Sequence, residues 1–178
     1  MRVLLALEPG GGGVARHVID LASGLLARGH DVEIAYAPGR AEQWYLDALH
    51  TLSVHLHPLS MQRATGWHDL RAVGELRRLL QIRPPFDIVH AHSSKAGAVL
   101  RLAAATCPAR RVYTSHALVT MSPELPLAAR TVYGMAERLL APLAHGIICV
   151  SDEERQHARS LGIAARRLHV INNGMGPL

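Results

Sequence analysis

Four consecutive glycines, Gly10 to Gly13, separate an apolar run, Val3-Leu4-Leu5-Ala6-Leu7, from a segment that starts Val14-Ala15-Arg16-His17 and continues with helical spacing. Without a Cβ, Gly12 and Gly13 can reach positive φ and let an anion approach the backbone. A helix beginning there would offer unbonded N–H groups and a positive dipole end. That is a geometry for cradling phosphate; the competing reading is a plain flexible turn between strand and helix. Two phosphate chemistries are disfavoured. No Gly-Lys-Ser/Thr follows, which argues against a P-loop nucleoside triphosphatase, and the second apolar run ends Ala35-Tyr36-Ala37-Pro38, without the acidic residue that grips an NAD ribose.

Further candidates lie downstream. Ser93, Ser94 and Lys95 open a helical segment, with Gly97 allowing close approach, so hydroxyls and N–H groups there could hold a sugar or phosphate oxygen. Simple helix capping accounts for a serine at that place equally well. His17 falls in the first turns of the first helix, where it could face a cleft or solvent. His116, flanked by Thr114 and Ser115, stands just past a strand, where an imidazole can point at a bound substrate or bond to a neighbouring loop. The pairs His55/His57 and His90/His92 have strand spacing, but no third ligand stands at a recognisable distance along the chain, and no metal is expected. No Ser-His-Asp or Cys-His arrangement with a known local sequence supports covalent hydrolysis.

The elements that must position these residues alternate along the chain. Arg2 to Leu7, Asp31 to Tyr36, Ser53 to His57, Asp87 to His90, Arg111 to Thr114, Gly146 to Val150 and Leu168 to Ile171 read as short strands. Between them, Val14, Val18, Leu21 and Leu25, then Leu70, Val73, Leu76 and Leu80, then Val99, Leu102 and Ala103 recur at helical intervals. Gly29 suits a helix end, Pro84-Pro85 stops another, and Ser151 ahead of Asp152, Glu153 and Glu154 suits a helix start. Near-continuous apolar strands alternating with helices imply an α/β fold: a Rossmann-like, doubly wound, mainly parallel sheet with helices on both faces. Ligands on such sheets bind outside the carboxyl ends of the strands. The glycine turn, Ser93 to Lys95, His116, Ser151 and Asn172-Asn173-Gly174 all follow strands directly.

A chain of 178 residues has the size of one domain with one sizeable core. No apolar run is long enough to cross a bilayer and no signal-peptide pattern is visible, so a cytoplasmic protein is expected. Cys107 and Cys149 lie in apolar surroundings without CxxC spacing and read as buried thiols. The net charge is +5, and 18 of the 19 basic residues are arginine, which fits anion binding or simply an arginine-rich codon usage. Aromatic residues are only 4% and no helix-turn-helix, zinc-finger or RNA-binding signature occurs, so nucleic acid is not an expected partner.

The combination of Gly12-Gly13 with His17, then DIVHAHSSKAGAVLRLAA, VYTSHA, GIICVSDEER and HVINNG, resembles in order and spacing the amino-terminal domain of family four retaining glycosyltransferases of GT-B fold. The similarity covers essentially the whole chain and is nearest to bacterial members that build polysaccharides. Enzymes of that family have two facing Rossmann-like domains and move a sugar from a nucleotide sugar to an acceptor hydroxyl, usually without a bound metal. The resemblance implies that residues 1–178 are the acceptor-side half, that Gly12 and Gly13 approach the donor diphosphate, and that His116 contacts the transferred sugar or its acceptor. It implies too that His17, Ser94 and Lys95 line the acceptor side. No cofactor is implied. Preorganised N–H donors can stabilise the departing diphosphate without a cation, and the sequence has no Asp-x-Asp motif.

Two departures stand out. The family usually has glycine after the strand-five histidine, where this chain has Ala117. The family's second, donor-binding domain carries a basic pair and two glutamates separated by seven residues, and no such glutamate pair occurs here. The chain alone is therefore expected to fold, to bind nucleotide sugar weakly and to transfer none. Alternatives from other classes are a non-catalytic module for a phosphate ligand or nucleotide sugar, and half of a sugar-nucleotide epimerase. A lipid-linked acceptor at the inner face of the membrane would suit a peripheral patch built from Arg63, Arg77, Arg78 and Arg83 with Met61, Trp67, Leu118 and Met121. A solvated arginine face over ordinary core edges explains the same residues.

Overall fold

The computed structural model describes residues 1–174. Seven strands form one sheet: β1 (Arg2–Leu7), β2 (Asp31–Tyr36), β3 (His55–Pro58), β4 (Ile88–His92), β5 (Arg110–Thr114), β6 (Gly146–Cys149) and β7 (Leu168–Val170). Six α-helices connect them: α1 (Gly12–Ala27), α2 (Gln43–Thr51), α3 (Trp67–Ile82), α4 (Ser94–Ala103), α5 (Leu127–Leu140) and α6 (Asp152–Ser160). All pairings are parallel and the order is β3-β2-β1-β4-β5-β6-β7, the doubly wound arrangement expected from the alternation of elements.

The sheet is buried on both faces, which is why its strands read as apolar runs rather than alternating ones. Successive β1 side chains go to opposite sides. Leu4 and Ala6 join Leu76 of α3, Leu100 of α4 and Ala158 of α6, while Val3, Leu5 and Leu7 join Val18 of α1 with Tyr45 and Leu49 of α2. Helix ends follow their sequence signals. Gly29, at φ +73°, donates its N–H to Leu26 O just past α1, and Ser151 Oγ accepts from Glu154 N at 3.1 Å at the start of α6.

Charged residues inside the fold are held by partners. Glu33 of β2 is fully buried; it accepts from Arg83, with Nη2–Oε1 2.8 Å, and from Arg2, and lies 2.6 Å from His57 Nε2. Burial alone would raise its carboxyl pKa, but these hydrogen bonds outweigh that and hold it below the ordinary carboxylate range. Arg101 of α4 and Glu137 of α5 are 1% and 4% exposed and pair at 2.9 Å, and Glu137 also accepts from Tyr113 OH of β5 at 2.9 Å.

Strand positions agree with the sequence reading to within two residues at every end; β3 runs His55–Pro58 rather than Ser53 to His57. The proposed basic and apolar patch does need correction. Met61 and Leu118 are core residues, 3% and 2% exposed, packed into the same cluster as Leu76 and Leu100, and Arg83 is committed to Glu33. Trp67 remains exposed, and a separate apolar face on α5 comprises Leu127, Val132, Met135 and Leu139. Among the described residues, no helix is long and apolar enough to cross a membrane. Cys149 is buried and Cys107 partly buried, both as free thiols.

Candidate functional site

The order of strands reverses between β1 and β4, so the loops that follow these two strands diverge and leave a crevice at the carboxyl edge of the sheet. The glycine turn forms one wall. Its glycines have different reasons to be glycine. A Cβ on Gly10 would lie 2.5 Å from Ala41 Cα, and one on Gly11 would lie 2.0 Å from Glu42 Oε1, so these two exist for packing against the segment after β2. Gly12 takes φ +61°, and neither it nor Gly13 would meet any atom within 4 Å if given a Cβ. These two, both exposed, face open space at the first residues of α1. That helix has no side-chain cap and no acidic residue in its first turn, so its leading N–H groups are available to an anion.

The opposite wall is built by the ends of β4 and β5. Ser93 caps α4, accepting from Ala96 N at 3.4 Å, and does so at φ +87° and ψ 154°, a region that glycine tolerates and side chains rarely adopt. Ser94 lies beneath it, partly buried, within 3.4 Å of Tyr113 OH. Lys95 is engaged by neighbours: its ammonium donates to Ala64 O at 2.8 Å and to Asp69 Oδ1 at 3.0 Å, tying α4 to the start of α3. Its charge is neutralised there.

After β5 the chain passes through two consecutive left-handed residues, His116 at φ +54° and Ala117 at φ +75°. Glycine would take this second conformation without the Cβ penalty, roughly 1–2 kcal/mol per L-residue, which explains physically why glycine suits the position that Ala117 fills. The bend is held from α6. Ser115 Oγ donates to Glu154 Oε1 at 2.6 Å, Val150 N donates to Glu154 Oε2 at 2.7 Å, and Thr120 Oγ1 lies 2.8 Å from His157 Nε2. Glu154 is 1% exposed and invisible as a site residue in the sequence, where it reads as an ordinary first-turn acid; the capping pattern Ser151-Asp152-Glu153-Glu154 was the only signal.

The least expected feature lies between the walls. His17 of α1, His92 at the end of β4 and His116 converge, with ring centroids 5.4 Å apart for His17 and His92 and 4.8 Å for His17 and His116. His92 Nδ1 is 3.0 Å from His116 Nε2, while the His90 ring lies 4.1 Å from His92, tilted by 36°, and bonds Thr114 Oγ1 at 2.8 Å. Burial penalises the charged form of each ring and their mutual repulsion adds to it, holding His116 at about 4, His90 at about 3 and His92 well below the usual imidazole value. His17 is lowered by burial too, partly offset by Asp20. At neutral pH the crevice is therefore lined by uncharged imidazoles that can donate or accept hydrogen bonds. His57, by contrast, serves Glu33, and His55 is exposed on the edge strand.

Comparison with known families decides the relationship. The sequence model described as Glycosyltransferase Family 4 matches residues 11–176. The chain belongs to that family. No curated protein matches it significantly. Among solved structures, this family 4 domain is similar to HepE of Anabaena in complex with UDP, with a TM-score of 0.75 and 20% identity over 98% of this chain and 44% of that one. It is also similar to sucrose-phosphate synthase from Thermosynechococcus elongatus, with a TM-score of 0.72 and 15% identity over 98% and 49% of the two chains. A UDP-N-acetylglucosamine 2-epimerase matches with a TM-score of 0.68 and 16% identity over 96% and 47%. At these identities the likeness is one of fold. The family 4 domain spans less than half the length of each of these three chains.

Proposed function

We propose that this chain forms the acceptor-side wall of a retaining glycosyltransferase that moves a sugar from a nucleotide sugar to an acceptor hydroxyl in polysaccharide or glycoconjugate synthesis. The observation that carries the reading is the crevice at the reversal of strand order. Gly12 and Gly13, clear of any neighbour, and the uncapped start of α1 belong to the helix whose His17 ring lies 4.8 Å from that of His116, while Ser94 opens the helix after β4. The leaving diphosphate gathers negative charge as the glycosidic bond breaks, and N–H groups already aimed at it lower that barrier without reorganising. A neutral His116 on a rigid bend suits a hydrogen bond to the sugar or to the incoming hydroxyl, and His17 and Ser94 suit the acceptor. Lys95, bonded to Asp69, has at most an indirect part through the placement of α4.

In this reading a second domain presents the donor, and the 178 residues alone hold it weakly and transfer nothing. HepE is described in complex with UDP-glucose, which makes UDP-sugars the first donors to try. The test is a screen of nucleotide sugars with sugar or lipid-linked sugar acceptors, using the product of the complete reading frame. A glycoside product whose formation falls about 10²-fold in His116→Ala, with donor affinity little changed, supports the proposal. Unchanged turnover in that variant would refute the role of His116, and turnover by the 178-residue chain alone would refute the need for a second domain. The match to an epimerase supports a second reading, which an epimerised nucleotide sugar in place of a glycoside would identify. Donor binding with no consumption would point to a binding module.

A further inference from the structure

We propose that His17, His92 and His116 form a binding site for one divalent transition-metal ion of the zinc class, with the fourth coordination position open to the crevice. One ring nitrogen from each residue lies within 4.8 Å of the other two. The three residues come from separate elements, α1, β4 and the bend after β5, and no carboxylate takes part in the cluster. An all-imidazole set suits zinc, copper or nickel, whereas magnesium and calcium require oxygen ligands. Three protein ligands with one position left to solvent is the composition of an open zinc site.

The His92 ring supplies an independent observation. It is completely buried, and its Nδ1 meets only another imidazole, His116 Nε2, at 3.0 Å. Two neutral rings in that arrangement share a single proton. A metal ion gives both lone pairs a common partner, with the proton moving to the far nitrogen of its ring, so neutral ligands bind without net proton release. Zinc–nitrogen bonds of about 2.0–2.1 Å in tetrahedral geometry put ligand nitrogens roughly 3.4 Å apart. The His92–His116 spacing is already close to that. The widest spacing must close by somewhat over 1 Å, and His17, partly exposed on its helix, has the χ freedom to supply it. His116 stays fixed by the Ser115–Glu154 bond. An ion here would occupy the His116 nitrogen that faces His92, making it an inhibitor or regulator of any reaction that needs His116 free.

The proposal shares His17 and His116 with the glycosyltransferase reading but does not depend on it, since metal binding is measured without any sugar. The test is calorimetric titration of the untagged 178-residue chain with zinc, and with cobalt(II) followed by its visible ligand-field bands. The expected result is one site per chain, tetrahedral-type cobalt bands, and at least a tenfold loss of affinity in His17→Ala and in His116→Asn, with His55→Ala unchanged. Circular dichroism and thermal unfolding would show that each variant is folded. Absence of binding, or binding that survives both His17→Ala and His116→Asn, would overturn the proposal, the latter assigning the ion to other histidines. Binding in a protein that makes no glycoside would leave the metal site standing and remove only the reading above.

Discussion

Replacing Glu137 with glutamine keeps the shape of the side chain and one acceptor oxygen but removes its charge, leaving the Arg101 guanidinium buried without a counter-ion. Arg101 is otherwise held by the Gly97 carbonyl at 2.8 Å and by the face of Tyr113, whose centroid is 4.3 Å away, and its Nη1 already lacks a partner. Breaking a buried pair from one side costs about 3–5 kcal/mol. The lower end applies here, because glutamine still accepts from Arg101 or Tyr113. A change of that size lowers the melting temperature of a domain this long by roughly 6–20 °C. The double replacement Arg101→Met with Glu137→Leu removes both charges and fills the space, so most of the loss should be recovered. Urea unfolding of the three proteins, with slopes compared to check two-state behaviour, measures the coupling. A Glu137→Gln variant within about 1 kcal/mol of the parent, or a double variant no more stable than Glu137→Gln, would refute the account of this pair as a mutually dependent charge couple. The pair matters for the site because it fastens α4 and α5 to β5 directly behind Ser94 and the His116 bend.

Other consequences can be measured on the same chain. Glu33 has a folded pKa below its unfolded one, so its contribution is complete above the ordinary carboxylate range and fades as pH falls through the folded value. The stability difference between the parent and Glu33→Gln should thus be large at pH 7 and shrink below about pH 4, and a pH-independent difference would contradict this. Gly97→Ala would place a Cβ 2.4 Å from the Tyr113 ring, so a loss of about 1–3 kcal/mol in denaturant is expected, and an unchanged midpoint would show that the ring can move aside. In the proposed glycosyltransferase reading, Glu154→Gln should loosen the bend that holds His116, lowering kcat more than it raises KM. Equal activity with reduced thermal stability would make Glu154 purely structural.

Local pattern was enough to see most of the fold and where several candidate residues stand in it. Gly12, Gly13, Ser94 and His116 could be placed at strand ends because each follows an apolar run directly, and the glycine favoured after His116 is explained by the left-handed backbone at Ala117. Lys95 had the same local credentials, yet its ammonium is bound by Asp69, 26 positions away, a partner that no spacing rule names. Met61 and Leu118 looked exposed because they sit in irregular stretches, but irregular backbone can fold into a core, and here both segments do.

The sequence by itself determined the alternation of strands and helices, the parallel sheet buried on both faces and the sheet edge at which the candidate residues gather. These follow from hydrophobic period and from turn chemistry within a few residues. Only the tertiary structure decided that Gly10 and Gly11 serve packing while Gly12 and Gly13 face open space, that Glu154 holds the bend carrying His116, and that His17, His92 and His116 share one point in the crevice. The physical reason is distance along the chain. The three imidazoles are separated by whole helices and strands, and nothing in their local spacing reveals that the order of a parallel sheet will bring β1, β4 and β5 side by side.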